Sequence, residues 1–253
     1  MRRVVLVFLA SAVLTAGPVP AAKADTIHLI LSGSSFSSND TLHWGVLGNN
    51  VSVTNGTTAA SGSGLDATIN YALGGPGSTL VQCPGSTCSW NGNFAPGQTL
   101  LTTVNSTSGK GEGYLDLTFS KGIAGVGFQI EPNPNRNDLG KFQAEIFAYD
   151  GATLLGNWFL TGTATSDANN SANFLGLGDL TGTDITSIKI QTFNCAGGAL
   201  PNCNDGFGIN GLKLWEGSPY PGGTSTPEPA SLVLLGSGLG ALGFLRRKVT
   251  VRR

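Results

Sequence analysis

Hydrophobic and polar residues alternate along several short stretches in the middle of this 253-residue chain. The clearest case begins at Tyr114, where Leu115, Leu117 and Phe119 occupy every second position. A period of two is typical of strands that bury one face, and no 3.6-residue period stands out between positions 25 and 226. We predict strands at 26–31, 65–71, 114–119, 123–130, 142–149, 154–161, 188–191 and 209–215.

Short intervals rich in Gly, Asn, Ser, Thr and Asp separate these stretches. Asp150-Gly151 lies directly between two of them and predicts a tight hairpin, because such turns need positive φ. Residues 32–64 are richer in polar and glycine residues, and we expect long loops or an irregular first part of the same domain there. Roughly eight to ten short strands joined by such turns indicate an all-β sandwich.

The N-terminus departs from this pattern. It has two arginines, a charge-free apolar stretch from position 4 to 16, and then Ala22-Lys23-Ala24. A basic start, an apolar stretch too short to span a membrane, and small residues flanking a cleavage site predict a secretory signal peptide over 1–24. The mature chain would then begin at Asp25.

The C-terminus has a three-part pattern. Pro227-Glu228-Pro229 is followed by an uncharged segment at 230–245 and by Arg246-Arg247-Lys248. A helix of this length spans about 24 Å, less than the roughly 30 Å hydrocarbon core, and flanking arginines can cover the mismatch by snorkelling. We predict a short transmembrane helix at 230–245 whose basic end stays cytoplasmic. A linker at 220–226 would join it to a sandwich domain at 25–219.

This tail resembles the PEP-CTERM sorting signal of Gram-negative bacteria. The matching residues are Pro227, Glu228 and Pro229, the Gly-rich apolar segment, and the stop formed by Arg246 and Arg247. The resemblance covers 227–253 and implies recognition by an exosortase, a membrane-embedded cysteine protease that processes such tails near the Pro-Glu-Pro motif. It also implies export through the inner membrane, transient anchoring by the helix, and a final place at the cell surface or outside the cell.

The body from 114 to 215 also looks like the jelly-roll domains common among proteins with this tail. The resemblance rests on Gly125-Val126-Gly127-Phe128, on 148–151, on 173–177 and on 205–212. It implies a jelly-roll-like β-sandwich and brings no defined catalytic chemistry with it.

Charge is scarce and unevenly divided. Charged residues make up 11% of the chain, against roughly a quarter in ordinary soluble proteins, which excludes coiled coils and long exposed helices. Residues 25–226 hold six of the 14 cationic residues and 14 of the 15 acidic ones, so the exported body carries a net charge near −8. This balance argues against a nucleic-acid partner, because no basic patch can displace counterions from phosphates.

Four cysteines fall into two local pairs, Cys83 with Cys88 and Cys195 with Cys203. In an exported chain we expect each pair to form a disulfide that closes one surface loop. Other connectivities stay open. Metal binding by four thiolates is the alternative, but no C-x2-C spacing supports it.

No catalytic constellation stands out, and we predict no enzyme. The two histidines, His28 and His43, lie in a strand-like stretch and in a polar stretch, and no G-x-S-x-G motif is present. A secreted hydrolase would need two facing carboxylates, whose separation no sequence reveals. It is the least favoured alternative.

Ligand binding is the better hypothesis for the body. Trp44, Trp90 and Trp158 are candidates for stacking on sugar rings, unless they fill the core. Oxygen-bearing side chains at 133–138 and 202–205 are of the kind that bind calcium. Neutral Asn predominates among them, however, so we predict no metal site and no cofactor. We therefore expect a cell-envelope or extracellular-matrix protein associated with exopolysaccharide, or alternatively a carbohydrate- or calcium-binding module.

Overall fold

The computed structural model describes residues 27–48, 51–71, 80–84, 92–103, 114–132, 140–165, 167–194 and 206–221. The predicted signal peptide and the PEP-CTERM tail lie outside these residues, and so does the helix predicted at 230–245. Within the described ranges, no helix has both the length and the apolar character needed to cross a membrane.

The described part of the chain is built from β-strands joined by turns and loops, with one 3-10 helix at Trp44–Leu47. The strands are β1 (Ile27–Ile30), β2 (Asp40–Leu42), β3 (Ser52–Val53), β4 (Thr57–Ala60), β5 (Asp66–Tyr71), β6 (Leu80–Pro84), β7 (Thr99–Thr102), β8 (Leu115–Ile123), β9 (Gly125–Pro132), β10 (Gly140–Asp150), β11 (Thr153–Ala164), β12 (Asn173–Asp179), β13 (Ile185–Asn194), β14 (Phe207–Ile209) and β15 (Leu212–Trp215).

These strands form two antiparallel sheets. The six-stranded sheet has the order β11-β10-β13-β8-β5-β4. The nine-stranded sheet has the order β1-β12-β9-β14-β7-β6-β3, and β15 joins β9 to β2. Both β14 and β15 pair with β9, one after the other along the same strand, so a short interruption at Asn210-Gly211 divides what would otherwise be a single strand.

Alternation places the apolar side chains between the two sheets. On β10, Phe142, Ala144, Ile146 and Ala148 are all buried, while the residues between them belong to the opposite face. The facing strands β9, β12 and β15 contribute side chains such as Phe128 to the same core. An all-β sandwich is therefore confirmed.

The hairpin predicted at Asp150-Gly151 is confirmed, because β10 and β11 pair there and Gly151 has a φ of 56°. The range 32–64, where long loops or an irregular first part of the domain were expected, contains β2, β3 and β4 between its loops. These strands have two to four residues each, too few for a period of two to be recognised, and β2 and β3 pair with distant partners. Tyr220, which the sequence placed in the linker, is buried and packs against the domain.

Candidate functional site

A groove of about 680 Å³ lies on the outer face of the nine-stranded sheet. It is lined by the segment that follows β1, which includes Ser32 and Ser34, and by the segment at 170–174 that leads into β12. Most of the polar side chains in it are amides. The amides are Gln98, Gln129, Asn170, Asn173 and Asn210, and Lys213 lies among them.

Gln129 organises the floor of the groove. Its Nε2 donates to the backbone oxygens of Asn170 (3.2 Å) and Ala172 (3.1 Å). Its Oε1 accepts from Asn210 Nδ2 (2.8 Å) and Gln98 Nε2 (3.4 Å). Because both donors and both lone pairs of the amide are used, Gln129 holds its neighbours in place rather than offering free groups to a ligand.

Asn210 reaches the groove because the strand is interrupted there. Its Oδ1 accepts from the backbone nitrogen of Gln129 at 2.7 Å, and its backbone oxygen accepts from Trp44 Nε1 at 2.8 Å. The next residue must be small, since a Cβ on Gly211 would lie 2.7 Å from the backbone oxygen of Leu42. At this interruption the backbone oxygen of Asn210 therefore connects the groove to Trp44, which is fully buried in the core.

Three amides keep hydrogen-bonding capacity after their contacts with described residues. Gln98 uses Oε1 for the backbone nitrogen of Ala95 and one Nε2 hydrogen for Gln129, so one donor is left. Asn210 likewise keeps one Nδ2 hydrogen. The Nδ2 of Asn173 donates to the backbone oxygen of Thr163 at 3.4 Å, which leaves its own carbonyl as an acceptor. The groove thus offers both hydrogen-bond donors and hydrogen-bond acceptors at fixed positions.

Lys213 is the charged side chain at the groove. Its Nζ donates to the backbone oxygen of Gly33 at 3.1 Å and lies 5.9 Å from the centre of the Phe174 ring. An ammonium has three donors, so two are left after the bond to Gly33. The described residues that line the groove include no Asp or Glu.

An aromatic cluster beside the groove covers rows of glycine. Gly127 pairs with Gly176, and Gly125 with Gly178, across β9 and β12. A Cβ on Gly127 would lie 2.5 Å from the Phe174 ring, and one on Gly178 would lie 2.6 Å from the Tyr220 ring. Glycines here let aromatic rings approach the backbone closely. The rings belong to Phe36, Phe174, Trp215 and Tyr220.

A fully buried acid, Glu131, lies close to one rim of the groove. Its Oε2 accepts from the backbone nitrogen of Asn93 at 2.5 Å, while its Oε1 has no partner among the described residues. Burial raises the pKa of Glu131 to about 7, although the hydrogen bond from the backbone of Asn93 acts in the opposite direction. The Asn93 side chain in turn donates to Ser171 Oγ at 2.7 Å, and Ser171 lines the groove.

The outer face of the six-stranded sheet carries a different polar network. Glu145 is buried there and accepts from Asn157 Nδ2 at 2.8 Å and from Gln191 Nε2 at 2.5 Å. Nearby, Lys189 lies 3.8 Å from Asp116, and burial raises the pKa of Asp116 more than this lysine lowers it. The carboxylate of Glu145 is thus paired with two amides, while Asp116 Oδ1 is buried without a hydrogen-bond partner among the described residues.

Asp40 and Glu216 form a further acidic pair near the end of β15. The hydroxyl of Ser63 bridges their carboxylates, and Lys121 Nζ lies 2.6 Å from Glu216. Burial opposes ionisation of Asp40, but hydrogen bonds, among them those from the hydroxyls of Ser61 and Ser63, outweigh it and lower its pKa to about 2. Within the described ranges, no three His, Cys, Asp or Glu side chains converge as metal ligands would.

The tryptophans proposed as sugar contacts do not meet at the groove. Trp44 is fully buried, which corrects that expectation, because its ring offers no face to a ligand. Trp158 is half-buried on β11, where it packs against the core and over Gly156. Trp90 lies outside the described residues.

Several other predicted residues are also beyond what the structure describes. Cys83 lies in β6, but its side chain is not described, and its expected partner Cys88 is outside the described ranges. The second cysteine pair, both oxygen-rich stretches and the sorting motif also lie outside the described ranges. These positions are Cys195, Cys203, 133–138, 202–205, Pro227, Glu228, Pro229, Arg246 and Arg247.

The groove residues were not singled out from the sequence. A usable signal was the alternation of Gly125, Val126, Gly127 and Phe128, in which glycine occupies the face opposite the core. A strand that presents only glycine on one face predicts that something large covers that face. The neighbouring Gln129 then becomes a candidate for the edge of the covered region.

The sequence of the tail matches a known family model. The match is to the PEP-CTERM protein-sorting motif and extends over residues 225–249. The chain carries a PEP-CTERM sorting motif. A PEP-CTERM motif implies an exported surface protein that an exosortase processes at the membrane. Among curated proteins, none matches the whole sequence or a part of it.

Two solved structures resemble the body of this PEP-CTERM protein. One is a DUF4465 family protein from Bacteroides caccae, with 15% identity and a TM-score of 0.44 over 71% of this chain and 100% of the other. The second is a DUF4465 family protein from Bacteroides ovatus, with 13% identity and a TM-score of 0.30 over 75% of this chain and 99% of the other.

Proposed function

We propose that this protein is a non-enzymatic surface protein that associates with extracellular polysaccharide through the groove of its nine-stranded sheet. The PEP-CTERM motif supports its destination outside the inner membrane. The proposal about the ligand has separate support in the chemistry of the groove.

The observation that carries the proposal is the set of hydrogen-bonding groups left over in the groove. Sugar hydroxyls both donate and accept, and they are best matched by groups of both kinds at fixed positions. Gln98 and Asn210 each keep a donor, Asn173 keeps an acceptor, and Ser32 and Ser34 also line the groove. A volume of about 680 Å³ is ample for a few sugar units.

The ordering of these amides favours binding. Gln129 fixes its neighbours through four side-chain hydrogen bonds, so a ligand need not immobilise them. Ordering a free side chain on binding costs about 0.5–1.5 kcal/mol, and preorganisation avoids that cost. Because a polysaccharide repeats its units, each polymer chain offers many equivalent positions at which a weak site can bind.

We also infer that the segment at 230–245 anchors the chain in the inner membrane until cleavage near Pro227-Glu228-Pro229. Its absence of charge and the basic cluster behind it support this order of events. The anchored stage would hold the domain on the outer side, where polysaccharide is exported.

Affinity electrophoresis tests the binding proposal. The full chain in mild detergent is run through gels that contain the extracellular polysaccharide of the producing bacterium. We expect retardation, and we expect Gln98→Ala or Asn173→Ala to weaken binding about fivefold, since each loses one hydrogen bond. Gln143→Ala, on the outer face of the six-stranded sheet, is the matched control. Absence of retardation, or equal retardation of all variants, would overturn the proposal.

A further inference from the structure

Lys213 gives the groove a charge opposite to that of the domain. The exported body carries a net charge near −8, yet the described lining of the groove contains this cation and no acid. Two other lysines of the described sheets lie beside carboxylates, Lys121 beside Glu216 and Lys189 beside Asp116. Lys213 forms no such ion pair with a described carboxylate.

The position of the Lys213 ammonium is fixed by two contacts. The backbone oxygen of Gly33 accepts one of its hydrogens at 3.1 Å, and the face of Phe174 lies 5.9 Å away. Phe174 is itself held by the glycine rows below it, and Gly33 has no room for a side chain larger than hydrogen without pressing on the same ring, at 3.1 Å. The ammonium is thus presented at a defined place with two donors left.

We propose that the groove selects polysaccharides with carboxyl-bearing sugars, and that the Lys213 ammonium binds the carboxylate. This proposal rests on the proposed polysaccharide binding by the same groove. A carboxylate next to an ammonium forms a charge-assisted hydrogen bond, which is stronger than one between neutral groups. The amide groups along the groove then bind the hydroxyls of the adjoining units.

The net negative charge of the domain does not cancel this selectivity. At physiological ionic strength charges are screened beyond about 8 Å, so a carboxylate in direct contact with Lys213 is governed by its nearest groups. Glu131 lies beside the rim of the groove but is fully buried, and Glu145 lies on the other sheet. Glu216 is paired with Lys121.

The experiment compares two forms of one polymer. The extracellular polysaccharide of the producing bacterium is used as isolated and after chemical reduction of its carboxyl groups to alcohols, and binding of the full chain in mild detergent is measured. We expect the native polymer to bind about tenfold more tightly than the reduced one, because one charge-assisted contact is lost. Raising the salt concentration should weaken only the binding of the native polymer.

Three variants assign the effect to Lys213. Lys213→Met keeps the alkyl stem and should remove the preference, Lys213→Arg should retain it, and Lys141→Met, at an exposed site on the six-stranded sheet, should leave it unchanged. Thermal unfolding of each variant shows whether the fold is intact. Equal binding of both polymers would overturn this inference and leave the proposed function standing. Binding of neither would overturn both, and an unchanged preference in Lys213→Met would remove the role of Lys213.

Discussion

The carboxylate of Glu131 accepts a hydrogen bond from the backbone nitrogen of Asn93 at 2.5 Å, and this contact joins a fully buried acid to the rim of the groove. The Asn93 side chain continues the connection by donating to Thr165 and Ser171, each at 2.7 Å. Through Asn93, the rim of the groove is therefore connected to Glu131, a buried acid whose pKa is raised to about 7.

Glu131→Gln should change how stability depends on pH. In the unfolded chain this carboxyl ionises near pH 4.5, whereas in the folded protein burial raises its pKa to about 7. Between these values the folded state keeps a proton that the unfolded state has released, so the free energy of unfolding falls by about 3 kcal/mol as pH rises. Glutamine cannot titrate, and the variant should lack this fall.

Denaturant unfolding of both proteins at pH 4.5 and pH 8 measures the difference. The native protein should lose stability relative to the variant across this window. Parallel curves for the two proteins would show that Glu131 does not keep its proton to neutral pH in the folded state.

Gly178→Ala should destabilise the aromatic cluster. The new methyl would lie 2.6 Å from the Tyr220 ring, which must move away from the sheet, and overpacking of this kind costs about 1–3 kcal/mol. Gly45→Ala is the control, because its methyl would be 3.7 Å from the nearest atom. Thermal unfolding compares them. In a Tyr220→Ala background the cost of Gly178→Ala should shrink, and an unchanged cost there would contradict the contact.

Much of the sandwich could be predicted from the sequence, because long strands such as β8 and β10 show alternation over several pairs of residues. The strand β12 was missed for a definite reason. Both of its faces are buried, with Leu175 and Leu177 in the core and Gly176 and Gly178 under aromatic rings, so polar residues do not alternate along it. A strand of this kind has no amphipathic signature.

The groove could not be predicted, because it depends on contacts between distant parts of the chain. Gln129 and Asn210 are 81 positions apart and meet only through the pairing of β9 with β14 and β15. The prediction that Trp44 contacts sugar rings was wrong for a similar reason. Trp44 lies in a polar stretch of sequence, yet the 3-10 helix turns it into the core.

Replacing Pro227, Glu228 and Pro229 by alanine should prevent processing of the tail. An exosortase would no longer recognise the motif, and the uncleaved chain should accumulate in the inner membrane. Immunoblots of membrane and extracellular fractions, with intact-mass measurement, follow this change. Replacement of Gly222 and Gly223, which lie just outside the matched range, should have no effect. Mature extracellular protein that still ends at Arg253 would contradict processing.

Amide hydrogen exchange with and without the extracellular polysaccharide shows directly whether the polymer binds in the groove of the nine-stranded sheet, because it reports where the polymer protects the backbone. We expect slower exchange in the segments that line the groove, at 31–34, 170–174 and 210–213, and no change on the six-stranded sheet at 143–161. Protection confined to the six-stranded sheet, or no protection anywhere at saturating polymer, would contradict binding in the groove.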